Sequence, residues 1–145
     1  MRGIIKTKNK VIPNGNYRLA TRDENRVYTS GITPKINGQL VKTGKLDNTT
    51  DLTGYVSVAQ QAIKNAIQVI NQEISDDELI DKIVMMTVYI NASDDFIFHS
   101  KIADFLSEYL VEVFGDGVIG SRAAVGVNSL PGNAPLEISL VASIK

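Results

Sequence analysis

The sequence predicts an α+β domain in which two helices lie across one face of a mixed β-sheet. Three observations carry this. Segments 52–73 and 96–113 each show an apolar stripe at three- and four-residue steps, the mark of an amphipathic helix. Between them, IDKIVMMTVYI at 80–90 is a nearly continuous apolar run rich in β-branched residues, as a central strand covered on both faces would be. The order is strands, helix, strand, helix, two strands, and two amphipathic helices can cover only one sheet face. With 145 residues and 43% hydrophobic content, the chain has enough apolar material for one core, and a single domain over 1–145 is expected.

Taken in order, residues 1–13 mix Ile4, Ile5, Val11 and Ile12 with Lys6, Lys8 and Lys10 and read as an edge strand ending at Pro13. Asn14-Gly15-Asn16 is a turn signal. Tyr17 to Thr21 and Arg26 to Gly31 form the arms of a hairpin joined by the polar 22–25 segment. Alternation puts Tyr28 and Ser30 on one face, and Val27 and Thr29 on the other. Gly31 marks a bulge or a close backbone approach. Asn37-Gly38 predicts a second turn, with a short strand at Leu40-Val41.

In the first helix, Val56, Ala59, Ile63, Ala66, Ile67 and Ile70 make the apolar stripe. Gln60, Gln61, Lys64, Asn65, Gln68 and Asn71 take the opposite face. Residues 91–95 read as a loop whose last residues cap the second helix. Ile102, Phe105, Leu106, Tyr109, Leu110 and Val113 form that helix's buried stripe, which stops near Gly115-Asp116-Gly117. His99, near its start, reads as a surface residue, and Met85-Met86 as core filler. In the last strand Leu136, Ile138, Leu140, Ala142 and Ile144 alternate with Glu137, Ser139, Val141 and Ser143. If the first set lies under the helices, Glu137 lies on the helix-free face. Met85, Thr87 and Tyr89, or alternatively Met86 and Val88, would share it. A face so apolar predicts burial against a second copy of the chain.

Composition narrows the function classes. Fifteen Lys and Arg against 16 Asp and Glu give a net charge of −1 with no basic run, which argues against a nucleic-acid surface. Cysteine is absent, which excludes disulfides, thiolate metal sites and cysteine nucleophiles. One histidine leaves a protein-only zinc site short of ordinary ligands. MRGIIKTKNK lacks the apolar core of a signal peptide, and no 18 apolar residues run together. A cytoplasmic protein with no membrane segment is the expectation.

The chemistry concentrates in GSRAAVGVNSLPGNAPLEISLVA at 120–142. Two apolar strand-like runs, 123–127 and 136–144, flank a turn built from Leu130, Pro131, Gly132, Asn133 and Pro135 and read as a hairpin. Arg122 stands at the head of the first run and Glu137 near the head of the second. A guanidinium and a carboxylate carried into apolar surroundings are costly to bury without a use. Each also has a structural reading, as partners in an ion pair at a subunit interface.

Tyr17, VYTSG at 27–31, KIVMMTVYI at 82–90, Asp95-Phe96 and SRAAVGVNSLPGNAPLEI at 121–138 together resemble the RidA/YjgF family from about Tyr17 to the C-terminus. The order and spacing of Arg122, Leu130-Pro131 and Glu137 are the most specific part. GKLD at 44–47 and VEVFGDG at 111–117 are similar to the family's longer branch. The resemblance implies a chorismate-mutase-like fold and a homotrimer with clefts between subunits. It also implies hydrolysis of enamines and 2-imino acids, of the 2-aminoacrylate and 2-iminopropanoate type, to 2-oxo acids and ammonia without a cofactor.

On that resemblance Arg122 holds the substrate carboxylate with its planar fork, and Glu137 positions water and moves protons. Tyr17 and Ser30 line the cleft, Tyr17 in its own or a neighbouring subunit, and Gly31 and Ala124 contribute backbone groups. The chain departs from the family pattern at Ile32 (often glutamine), Ser121 (alanine), Ala123 (serine), Ala124 (cysteine) and Ser100 (asparagine). These changes bear on the size and polarity of the cleft. Two other classes are distinguishable: a regulatory trimer that binds small carboxylates without turnover, and an endoribonuclease, which the charge balance and the lone His99 oppose.

Overall fold

The computed structural model describes residues 11–145. The edge strand expected over 1–13 lies almost wholly outside them, and residues 11–13 are not in a strand. Strands β1 (Ala20–Asp23), β2 (Arg26–Thr29), β5 (Ile80–Asn91), β6 (Ser121–Val127) and β7 (Leu136–Ile144) form one sheet in the order β1-β2-β7-β5-β6. Only the β5–β6 pair is parallel. β3 (Lys35–Ile36) and β4 (Gln39–Leu40) make a separate small hairpin. Helices α1 (Val56–Asn71) and α2 (His99–Phe114) cover one face of the large sheet.

The first hairpin is tighter than the sequence implies. β1 starts at Ala20 rather than Tyr17 and runs to Asp23, which pairs with Arg26 across a Glu24-Asn25 turn. Glu24 takes φ 56° there. The hairpin edge is tied to the α1–β5 connection by a forked pair, Arg22 Nη1 to Glu78 Oε1 at 2.7 Å and Nη2 to Oε2 at 2.6 Å. Chiefly through that bond, the Glu78 carboxyl is held down at about 2. In the second hairpin Asn37 and Gly38 both adopt positive φ, 52° and 79°, the turn that an Asn-Gly pair favours. Its second strand is Gln39–Leu40 and leaves out Val41.

Asp51 opens the first helix by accepting from the Thr53 amide at 3.1 Å, which caps a 3₁₀ turn over Leu52–Tyr55. α1 then buries Ala59, Ile63, Ala66, Ile67 and Ile70 as expected, and also Val58, Ala62 and Val69; Val56 is only half-buried. Asn65 corrects the polar-face assignment: it is buried, 7% exposed. The 91–95 loop does not cap α2. The helix follows Phe98 without a side-chain cap, and Phe96, between loop and helix, is buried. α2 buries Ile102, Leu106 and Leu110 as expected, and also Ala103 and Phe114; Phe105, Tyr109 and Val113, expected in the buried stripe, are only half-buried, and the helix ends at Gly115 with φ 90°. His99 is half-buried, edge-on to the Phe96 ring at 5.0 Å between centroids.

β5 is central but covered by helices on one face only. Its buried residues are Ile80, Ile83, Met86, Val88, Ile90 and Asn91. Two register irregularities, between Ile80 and Lys82 and between Ile83 and Met85, account for the three-residue spacing of its first buried positions. Met85, Thr87 and Tyr89 occupy the helix-free face, which decides between the two alternatives. β7 alternates without a break: Leu136, Ile138, Leu140, Ala142 and Ile144 are buried, and the residues between them are half-buried.

The hairpin expected between 123–127 and 136–144 does not form. β5 lies between β6 and β7, parallel to one and antiparallel to the other. A strand–helix–strand unit such as β5–α2–β6 crosses over and returns parallel, so β6 lies on one side of β5, as an outer strand among the described residues, and β7 on the other. No helix among the described residues is long and apolar enough to cross a membrane.

Candidate functional site

The alternation of β7 turns Glu137 to the helix-free face, opposite Tyr89. Reciprocal bonds between Ile32 and Ile138, amide to carbonyl at 2.7 and 2.9 Å, clamp the segment after β2 against the start of β7. Gly31 is thereby pressed onto Glu137. A Cβ at position 31 would sit 2.6 Å from the Glu137 carboxyl carbon, so a side chain there displaces the carboxylate. Glu137 is half-buried, has no hydrogen-bond or ion-pair partner among the described residues, and burial pushes its pKa up.

Glu137, Gly31 and Tyr17 line one cleft of about 900 Å³. Tyr17 is 46% exposed, and its hydroxyl accepts from the Asn14 amide at 3.3 Å. Val11, Ile12, Leu19, Ile32 and Leu40 supply apolar wall, and Pro131 and Gly132 also line it.

Two asparagines that the sequence reading did not single out hold these walls. Asn65 donates from Nδ2 to the carbonyls of Thr33 (3.1 Å) and Lys35 (2.9 Å), and its Oδ1 accepts from Gln61 at 2.9 Å. It also lines the cleft. The signal was present in the spacing, since 58, 62, 65 and 69 recur at helical steps and Asn65 shares a face with two valines and an alanine. Asn91, 1% exposed at the end of β5, donates to Asn133 Oδ1 and to the Ala134 carbonyl, both at 3.1 Å. Its backbone amide bonds to the Pro135 carbonyl at 2.9 Å, which pins the 131–135 turn, whose Pro131 and Gly132 line the cleft.

Arg122 lies elsewhere. On edge strand β6 it registers with the buried Met86, so its side chain rises on the helix side, opposite the face that carries Glu137. Its Nη1 donates to Asp104 Oδ1 (2.8 Å) and Ser107 Oγ (3.0 Å), and Nη2 donates to Ser100 Oγ (3.0 Å). Its ion-pair partner is therefore Asp104, not Glu137. Ala124 follows on the same side of β6 and packs against the core. Ser30 adjoins Gly31, but its hydroxyl donates to the Arg18 carbonyl at 2.5 Å. One chain thus unites Tyr17, Gly31 and Glu137, and holds Arg122 and Ala124 apart from them.

These features define an α+β protein with a half-covered sheet, a cleft around a carboxylate that has no partner among the described residues, and a separate arginine on the outer strand β6. The chain belongs to the endoribonuclease L-PSP family, the YjgF/RidA family, whose model matches residues 7–144. Protein TCP17 of Trypanosoma cruzi is 26% identical over 141 residues, which cover 97% of this chain and 88% of that protein. Among solved structures, the protein Atu1372 of Agrobacterium tumefaciens is similar with a TM-score of 0.83 at 26% identity, over 90% of this chain and 82% of that one. The YjgF gene product of E. coli shares the fold, with a TM-score of 0.66 at 21% identity over 97% and 98% of the two chains.

Proposed function

We propose that the protein hydrolyses reactive 2-imino acids and their enamine tautomers to 2-oxo acids and ammonia, in clefts completed between subunits of a homotrimer. The observation that carries this reading is Glu137: a half-buried carboxylate raised by desolvation, without a protein partner among the described residues, in a cleft shared with Tyr17 and Gly31. A carboxyl group whose pKa burial moves upward is better matched to proton transfer near neutral pH than a free one.

Imine hydrolysis uses that capacity twice. Water adds to the imine carbon, giving up a proton to the Glu137 carboxylate, while the imine nitrogen gains one. The resulting carbinolamine then collapses, with a second proton transfer to nitrogen, and releases ammonia and the 2-oxo acid. Arg122 holds the substrate carboxylate. Because Arg122 stands on β6, an outer strand of the sheet among the described residues, away from its own chain's Glu137, this function requires the β6 edge of one subunit beside the cleft of the next. Ser30 and Ala124 contribute to the walls, with Ala124 offering its backbone. No cofactor enters the reaction. The family's endoribonuclease description is not carried over as activity, since a chain of net charge −1 without a basic run offers no electrostatic footprint for RNA.

The test adds the protein to an amino-acid dehydratase reaction and follows 2-oxo acid formation against carbamoylation of the imine by a trapping reagent. Wild type is expected to accelerate 2-oxo acid release. Glu137→Gln is expected to lose about 10²-fold or more in rate, the worth of a positioned acid–base group. No acceleration by wild type, or equal acceleration by Arg122→Ala, overturns the proposal.

A further inference from the structure

Arg122 is cradled by one face of α2. Ser100, Asp104 and Ser107 follow at steps of four and three residues, so their side chains share one stripe of the helix. That stripe is polar where the helix passes over the end of β6. Nη1 is saturated by Asp104 Oδ1 and Ser107 Oγ, and Nη2 gives one hydrogen to Ser100 Oγ. A guanidinium carries five N–H groups. The Nε–H and one Nη2–H consequently have no partner among the described residues. Asp104 is 54% exposed and Arg122 24%, so the cradle lies at a surface open to an incoming group.

We propose that Asp104, with Ser100 and Ser107, is a positioning residue for Arg122, holding the guanidinium so that two of its N–H groups remain free to receive the substrate carboxylate. This role rests on the imine-hydrolysis reading and adds to it a device on a second element. A long arginine stem on an edge strand samples many rotamers, and three acceptors on a rigid helix restrict it before substrate arrives. The aspartate charge also opposes the arriving anion. The cradle therefore trades some carboxylate affinity for a fixed direction of binding.

Charge and hydrogen bonding separate in two variants. Asp104→Asn keeps an oxygen acceptor and removes the charge. It is expected to lower KM for the imino acid and to tighten 2-oxobutanoate binding in calorimetry about threefold, with kcat near wild type. Asp104→Ala removes the acceptor and is expected to lower kcat about tenfold, the cost of a reacting group held out of line, with little change in thermal midpoint. If wild type hydrolyses imines while Asp104→Ala matches it in kcat, KM and 2-oxobutanoate affinity, the cradle is overturned and the hydrolysis reading stands. A lowered thermal midpoint with unchanged kinetics overturns it equally. If wild type binds 2-oxobutanoate without turnover, hydrolysis falls and the cradle is judged by affinity alone: no tightening in Asp104→Asn overturns it. If wild type neither hydrolyses nor binds, both fall together.

Discussion

At the residue scale the decisive group is Glu137. Its carboxylate is taken out of water by β7, the clamped Gly31 segment and the cleft walls, and no donor among the described residues compensates. A carboxyl group whose folded-state pKa lies above its unfolded value favours folding at low pH, and that contribution is lost as pH rises through the folded pKa. Glu137→Gln is therefore expected to raise the thermal midpoint by a few degrees at neutral pH. The gain should disappear near pH 4, where the free side chain is itself half protonated. Midpoints measured at both pH values check the sign, and a variant less stable than wild type at pH 7 contradicts it. Loss of activity together with a gain in stability marks a group kept for chemistry rather than for folding.

At the scale of elements, the cleft depends on how α1 grips the chain beside it. Thr33 lies just before β3 and Lys35 opens it, and Asn65 holds both of their carbonyls from the helix. Asn65→Ala leaves two carbonyls and the Gln61 amide without their partner. A loss of about 1–3 kcal/mol in unfolding free energy is expected, typical for stranding buried polar groups. Urea unfolding measures it, and a change within error shows that water replaces the amide. Much of the element pattern was legible in the sequence. Both helices appear in their stripes, and β7 in its alternation, because each signal comes from residues a few positions apart meeting one environment. The start of β1 and the cap of α2 were not legible, since a two-residue turn and a buried Phe96 depend on what packs against them.

For the whole molecule, the helix-free face is the surface that the proposed assembly would bury. Met85, Thr87 and Tyr89 lie half-buried along β5, with Val141 beside them on β7, and Tyr28 and Val125 expose 43% and 41% of their surfaces. The proposed homotrimer covers this face and brings the β6 edge to a neighbour's cleft. Sedimentation at micromolar concentration is expected to give a trimer. Thr87→Glu, which puts a charge in the middle of the apolar row, is expected to give monomers without imine hydrolysis although Arg122 and Glu137 are intact. A wild-type monomer that retains full activity removes the shared cleft.

The sequence by itself determined the α+β class, the face on which Glu137 stands, and the residue types available for chemistry, because periodicity and composition are local properties. Only the tertiary structure decided that Arg122 and Glu137 stand apart. Read along the chain, the runs 123–127 and 136–144 look like neighbours across a turn. In the fold, β5 pairs with both, and its long apolar strand gains more from two partners than from one. Strand order is settled by which distant surfaces bury each other best, and no local pattern reports that. The same holds for Asp104 and Asn65: each is an ordinary polar residue on a helix until the fold sets Arg122 against the one and the cleft wall against the other.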